Sequence, residues 1–318
     1  MEKGAEINIS KELQIKTDEL TFLHEQLPSE IYKGNIPLIK FGKKLEESKN
    51  SLVVFPGIGV PTFYDENGKL HYYHSEVIRE VVKRSPNTSV VLLANWPGYE
   101  QKDNKLKNDL LAENERIPTS LDDKNNIMLE VIKYVSSTQP NITINAHSTS
   151  AGVIIRNLKD YQINKLVIDS PTGLGKKTVR TKLLDGLSQI GLLKHIHKAQ
   201  QKNIEGYIKI ISESFGLTEE EYQNDRYNKL SFLEIPPDVM QKETVSESQK
   251  FDGKIEKHSD LWIYIGGNDP MVNVNSIRDI ISPETEVITI DKASHMFHRQ
   301  EKYLDIWVEK VVEVVNST

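Results

Sequence analysis

Cysteine is absent from this chain of 318 residues. Its absence excludes disulfide bonds, thiolate metal sites and a cysteine nucleophile. It also fits a reducing compartment, so we expect a cytoplasmic protein. The chain equally lacks the apolar core of a signal peptide near its first residue and any run of about 18 apolar residues. We therefore expect neither an export signal nor a transmembrane segment.

A surplus of basic residues is also missing, because the formal net charge is −6 at pH 7. Nucleic-acid binding needs clustered positive charge, so we expect no nucleic-acid partner. The close histidine pairs, such as His295 with His298, lack acids at a metal-binding helix spacing. We accordingly expect no metal and no cofactor.

The composition that is present is typical of an ordered globular protein. Hydrophobic residues make up 37% of the chain and charged residues 27%, which suffices for a sizeable core. The length predicts one large domain, or a core with one insertion. It leaves the oligomeric state open.

Short, β-branched apolar runs alternate with amphipathic segments along much of the chain. Runs of this kind are typical of buried parallel strands, and the segments between them have helical spacing. The sequence therefore predicts an α/β fold with a mostly parallel central sheet flanked by helices. The predicted strands are 51–55, 89–94, 141–146, 165–168, 261–265 and 286–290, and the clearest predicted helices are 74–84, 127–135 and 303–315.

One region interrupts the alternation. Residues 172–258 contain several helical stripes and no strong strand, which predicts an inserted helical lid. The core is then formed by 51–171 and 259–318. Residues 1–50 are predicted to join this core, with weak strand candidates at 20–23 and 36–41 as the antiparallel start of the same sheet.

Ser148 stands where an apolar strand ends and a helix-like run begins. A serine on a tight strand-to-helix turn needs small residues two positions before and after it, and Ala146 and Ser150 are small. The helix that follows points its first N–H groups towards the site. The backbone N–H of Thr149 is thus a candidate donor to an oxyanion.

This stretch resembles the nucleophile elbow of the α/β-hydrolase superfamily, Gly-x-Ser-x-Gly, with Ala146 and Ser150 in the glycine places. The order of strands and turns extends the resemblance over 51–171 and 259–318. It implies an α/β-hydrolase fold with a lid and a serine nucleophile. The next register also fits the pattern with Ser150 as nucleophile. We favour Ser148, because it directly follows the strand and the family often has a histidine before the serine.

The resemblance also implies an acid and a base at the ends of later strands. The family often carries its acid in a Gly-x-x-Asp-Pro stretch, which matches Asp269, and its base after the last strand behind a small residue, which matches His295. Such a carboxylate fixes the imidazole tautomer and stabilises its cation. Asp169 is the alternative acid, and His298 is the alternative base.

By the same resemblance, the second oxyanion donor is the N–H of Ile58, although Pro56 stands where the family usually has histidine.

Two nucleotide-binding patterns are incomplete. The glycines around Ile58 lack the third glycine of a dinucleotide fingerprint, since Thr62 occupies its place. Residues 170–178 lack the first glycine and the final hydroxyl residue of a phosphate-binding loop.

The function expected from these residues is that of a serine hydrolase cleaving an acyl ester or thioester through an acyl-enzyme intermediate. The substrate is then a small molecule or an acyl chain, with a carrier-bound acyl group as an open alternative. A carrier-protein thioesterase or an acyltransferase would use the same triad. A ligand receptor or scaffold would keep the fold without turnover.

Overall fold

The structure is a computed structural model that describes residues 13–16, 20–29, 34–57, 62–64, 70–71, 75–94, 96, 120–161, 163, 165–174, 254–255, 260–299 and 301–317. The strands of its main sheet are β1 (Leu13–Lys16), β2 (Thr21–Ser29), β3 (Gly34–Gly42), β4 (Asn50–Phe55), β7 (Thr88–Leu93), β8 (Ile142–His147), β9 (Lys165–Asp169), β10 (Asp260–Gly266) and β11 (Glu286–Ile290). A separate hairpin pairs β5 (Phe63–Tyr64) with β6 (Leu70–His71). The described α-helices are α1 (Ser75–Arg84), α2 (Leu121–Ser136), α3 (Ser148–Arg156), α4 (Val274–Ile280) and α5 (Glu301–Asn316).

The main sheet has the order β1-β2-β3-β7-β4-β8-β9-β10-β11. Strands β1, β2, β3 and β7 pair antiparallel in succession. From β7 to β11 every neighbouring pair is parallel. The expected mostly parallel sheet is therefore confirmed, and the carboxyl ends of six strands share one edge, where ligands bind in open α/β sheets.

Helices cover both faces of this sheet, because its central strands carry apolar side chains on both sides. Alternate residues, such as Val53 and Val54 of β4, belong to opposite hydrophobic cores. Helices α2, α3 and α4 pack into one core, and α1 and α5 pack into the other. The two buried layers hold the strand ends, and thus the site residues, in fixed relative positions.

A polar cluster ties the antiparallel strands to α2. Lys40 of β3 lies 2.5 Å from a carboxylate oxygen of Glu25 of β2 and donates a 2.8 Å hydrogen bond to the Tyr134 hydroxyl of α2. Burial alone would lower the pKa of Lys40, but its hydrogen bonds to Glu25 and Tyr134 outweigh burial and raise this pKa. For the Tyr134 hydroxyl, in contrast, burial itself raises the pKa.

The elements differ from the sequence predictions mainly at their ends. The predicted strand 141–146 lies one residue later. The candidate at 36–41 is part of β3, and the candidate at 20–23 is part of β2 except for its first residue. Strand β1, the hairpin and α4 were not predicted. The predicted lid at 172–258 lies outside the described residues apart from 172–174 and 254–255. Among the described helices, none combines the length and the apolar character that a membrane crossing requires.

Candidate active site

The turn between β8 and α3 presents Ser148 at the carboxyl edge of the sheet. Ser148 is the first residue of α3 and has a φ of 54°, in the left-handed region that residues other than glycine rarely adopt. Such strain persists only where the surrounding structure holds it. Here the buried strand and helix do so, and the Ser148 carbonyl accepts a 3.1 Å hydrogen bond from the Thr172 N–H.

Ser148, His295 and Asp269 meet at this edge although they lie far apart in sequence. Nε2 of His295 lies 3.1 Å from Oγ of Ser148, and Nδ1 of His295 lies 2.8 Å from Oδ2 of Asp269. The side chains of His295 and Asp269 are fully buried, and Ser148 is 7% exposed. The structure thus brings the predicted nucleophile, base and acid into one continuous hydrogen-bonded chain.

Asp269 is fixed by the turn that follows β10. Its Oδ1 accepts hydrogen bonds from the N–H groups of Met271 and Val272, at 2.8 and 3.1 Å. These bonds leave Oδ2 directed at His295. The carboxylate is therefore oriented by backbone donors as well as by the imidazole.

The loop that carries His295 runs directly over the end of β10. A Cβ atom on Gly266 would lie 2.3 Å from the carbonyl oxygen of Ser294 and 2.5 Å from that of Ala293. The carbonyl of Ala293 also accepts a 2.9 Å hydrogen bond from the N–H of Asn268. Only glycine fits at position 266 with the loop in this place, so the acid turn and the base loop are packed as one unit.

The loop after β4 approaches the nucleophile closely. A Cβ atom on Gly57 would lie 2.9 Å from Nδ1 of His147 and 3.0 Å from Cβ of Ser148. The carbonyl of Pro56 accepts hydrogen bonds from the hydroxyl of Ser150 and, at 3.2 Å, from the indole N–H of Trp96.

These contacts bring the predicted oxyanion loop to the nucleophile. Thr149 is buried in the first turn of α3, where backbone N–H groups have no partner within the helix. Ile58, the other predicted donor, lies outside the described residues. The alternative nucleophile Ser150 is fully buried, and its hydroxyl is engaged with Pro56.

A second buried histidine–aspartate pair lies beside the first. Nδ1 of His298 is 2.9 Å from Oδ2 of Asp169, and both side chains are almost fully buried. Burial holds the pKa of the Asp169 carboxyl well above its ordinary value, and the negative charge of Asp269 raises it further, against a backbone hydrogen bond that lowers it. The two residues named as the alternative acid and base therefore pair with each other.

His147 packs between the two histidines of the base loop. Its ring centroid lies 5.0 Å from that of His295 and 4.8 Å from that of His298. Its Nε2 lies 3.4 Å from the backbone oxygen of His295. No contact of His147 was predicted from the sequence, although a histidine at the end of a buried strand and next to the candidate nucleophile was a visible signal.

Ligand atoms of His147, Asp169 and His298 all lie within 4.8 Å of one another, the one such grouping among the described residues. Two residues of this grouping are in direct contact, with Nδ1 of His298 2.9 Å from Oδ2 of Asp169.

No protein-family model and no curated protein matches this chain. Its structure is similar to a 2-hydroxy-6-oxo-6-phenylhexa-2,4-dienoate hydrolase from Rhodococcus sp. strain RHA1, with 14% identity and a TM-score of 0.60 over 94% of this chain and 100% of that one. It is also similar to a thermophilic esterase from Thermogutta terrifontis, with 11% identity and a TM-score of 0.60 over 92% and 99% of the two chains. An alpha/beta hydrolase fold protein from Burkholderia ambifaria has 13% identity and a TM-score of 0.56 over 95% and 100%. Identities this low show the fold alone, which is that of the α/β-hydrolases.

Proposed function

We propose, on the premise that this chain has the α/β-hydrolase fold, that it is a serine hydrolase that cleaves an acyl ester or thioester. The observation that carries the proposal is the buried contact chain from Ser148 Oγ through His295 to Asp269, with distances of 3.1 and 2.8 Å. A nucleophile within reach of a base, with the base oriented by a third group, is the arrangement that activates serine. The hydrolases and esterases with the same fold agree with this reaction class.

In the proposed first half-reaction, Ser148 Oγ attacks the carbonyl carbon of the substrate while its proton passes to His295 Nε2. An Oγ–C bond forms, and the carbonyl oxygen becomes an oxyanion. The imidazolium then gives the proton to the leaving oxygen or sulfur as the bond to the acyl carbon breaks. Asp269 keeps Nδ1 as the protonated nitrogen, so that Nε2 is free to accept a proton, and stabilises the cation.

In the second half-reaction, water takes the place of the leaving group. His295 accepts one proton from the water molecule while the water oxygen attacks the acyl carbon. The tetrahedral intermediate collapses, Ser148 leaves with a proton returned by His295, and the carboxylic acid is released. An acyl-enzyme intermediate therefore separates the two steps.

The oxyanion is proposed to be held by the backbone N–H groups of Thr149 and Ile58. The start of α3 supplies unsatisfied donors and the positive end of a helix dipole. The close approach of Gly57 to Ser148 supports a donor from the loop that begins there. One donor of this kind contributes about 10²–10³-fold to the rate of acyl transfer in serine enzymes.

The contacts favour Ser148 over Ser150 as nucleophile. The Ser150 hydroxyl donates a hydrogen bond to the Pro56 carbonyl, and Ser150 is fully buried. Ser148 instead faces the base at a strained turn, with its hydroxyl oxygen 3.1 Å from Nε2 of His295. We propose that Ser150 holds the loop after β4, through its hydrogen bond to Pro56, against α3.

The test is labelling of the purified protein with a fluorophosphonate, which phosphonylates an activated serine. We expect Ser148→Ala and His295→Ala to abolish labelling, and Ser150→Ala to keep it. Ser136→Ala, at an exposed position at the end of α2, is the matched control and should label as the wild type does. Absence of label on the wild-type protein would overturn the proposal and favour a non-catalytic receptor or scaffold.

A panel of p-nitrophenyl esters and acyl thioesters of increasing chain length then separates the substrate classes. A burst of p-nitrophenol equal to the enzyme concentration is expected if the acyl-enzyme accumulates. Added alcohol or amine acceptors distinguish acyl transfer from hydrolysis, because a transferase forms a new ester or amide instead of the free acid.

A further inference from the structure

The pairing of His298 with Asp169 has no part in the proposed proton transfers, although both side chains are buried beside them. A polar group that is buried without a partner is costly. Nδ1 of His298 and Oδ2 of Asp169 lie 2.9 Å apart with both side chains buried, so removal of either residue would take away the contact that the other makes with it. This mutual dependence fixes where His298 sits relative to the end of β9.

The position of His298 also determines that of His295, because the chain between them is short. His295 lies in the turn before a 3-10 helix (Phe297–Arg299) that contains His298. On its other side, the loop is held at Ala293 by the Asn268 N–H. The base is thus held between two anchors, one on the acid turn and one on β9.

The Asp169 anchor lies close to the nucleophile. Asp169 is paired in register with His147 of β8, the residue before Ser148, and with Tyr264 of β10. His147 in turn packs on both base-loop histidines and lies 3.4 Å from the His295 backbone oxygen. The loop that leaves β11 is therefore fixed above the strand next to the nucleophile.

We infer that Asp169 and His298 are positioning residues that hold the backbone of His295 at the distance from Ser148 at which proton transfer occurs. Asp269 determines the orientation and tautomer of the His295 imidazole. The Asp169–His298 pair determines how far the His295 backbone lies from Ser148. A misplacement of about 1 Å in a catalytic group can lower a rate by about 10²-fold. This positioning role rests on the proposed function for its kinetic effect but not for its structural one.

The kinetic test measures kcat and KM for a p-nitrophenyl ester with His298→Ala, His298→Gln, Asp169→Asn and the double variant His298→Ala with Asp169→Ala. We expect His298→Ala to lower kcat by about 10- to 100-fold while KM changes by less than about threefold. The amide N–H of glutamine can still contact the Asp169 carboxyl group, so His298→Gln should recover part of kcat. The double variant should lose no more than His298→Ala, because the pair acts as a unit.

The matched control is Tyr161→Phe, which removes a buried 2.7 Å hydrogen bond to Asn125 away from the site. If Tyr161→Phe lowers kcat as much as His298→Ala does, general destabilisation explains the loss and the inference is wrong. A kcat for both His298→Ala and Asp169→Asn within twofold of the wild-type value would also overturn it.

A second readout is independent of turnover. The proton between His295 Nδ1 and Asp269 gives a low-field NMR signal, which we expect to shift or broaden in His298→Ala and to be partly restored in His298→Gln. A signal unchanged in all of the variants would overturn the inference even in an active enzyme. A signal that moves in a protein without fluorophosphonate labelling would instead support the positioning role and reject the hydrolase.

Discussion

A Cβ atom on Gly57 would lie 2.9 Å from the Nδ1 atom of His147, closer than real side chains approach. His147 directly precedes Ser148 in the chain, so the backbone at Gly57 lies close to the nucleophile turn. The absence of a side chain at position 57 lets the two backbones approach, and the proposed oxyanion hole depends on that approach.

We predict that Gly57→Ala lowers kcat by about 10- to 100-fold, since it separates one oxyanion donor from the nucleophile. KM should change less, because the donors act mainly on the transition state. Steady-state kinetics with a p-nitrophenyl ester measure both quantities, and thermal unfolding checks that the variant is folded. A folded variant with wild-type kcat would contradict the proposed role of the loop.

Two adjacent glycines after β10 offer a matched comparison. A Cβ atom at Gly266 would lie 2.3 Å from the Ser294 carbonyl, whereas one at Gly267 would meet nothing closer than 3.2 Å. We predict that Gly266→Ala displaces the base loop, lowers the free energy of unfolding by about 1–3 kcal/mol and reduces kcat by at least about tenfold. Gly267→Ala should retain most of the wild-type free energy of unfolding and most of the wild-type kcat. Denaturant unfolding and steady-state kinetics test the pair, and equal effects of the two substitutions would refute it.

Much of the site was predictable because its residues stand at the ends of strands. Buried strands are recognised by short apolar runs, and parallel strands end at one edge, so Ser148, Asp269 and His295 could be grouped from the sequence. Their catalytic roles stay proposals, and the oxyanion donor Ile58 stays a prediction.

Other features depend on contacts that no local pattern records. Strand β1 and the two-residue strands of the hairpin are too short for a periodic signal. The pairing of Asp169 with His298 joins residues from different loops, and the sequence offered each of them only as a substitute within the triad. Which acid binds which histidine is determined by the crossing of the base loop over the sheet, a tertiary feature.

Replacement of Asp269 by asparagine tests the proposed acid. The amide oxygen of the new side chain could still accept hydrogen bonds from Met271 and Val272, so the turn should fold, but a neutral amide would not stabilise the imidazolium or enforce the tautomer. We predict that kcat for Asp269→Asn falls by about 10⁴-fold. Asp279→Asn, which neutralises an exposed carboxylate on α4, is the control and should keep wild-type kcat. A loss below about tenfold for Asp269→Asn would show that another group orients His295.

The cluster of Lys40, Glu25 and Tyr134 predicts a loss of stability in alkali. The pKa values of Lys40 and Tyr134 are both raised in the folded protein, so the folded state holds these protons more tightly than the unfolded state does. Their stabilising contribution is therefore complete below the unfolded pKa values of about 10 and is lost as the pH rises through the folded ones.

Urea unfolding between pH 8 and 11.5 should show this loss as a fall in the free energy of unfolding of about 1 kcal/mol from the cluster. Other lysines titrate in the same range, so the informative quantity is the difference between variants. We expect the double variant Lys40→Met with Tyr134→Phe to be less stable at pH 8 and to lose less with rising pH than the wild type. Lys43→Gln removes the same charge from an exposed position at the end of β3 and should follow the wild-type curve. Parallel curves for the double variant and the wild type would mean that the cluster does not bind its protons more tightly on folding.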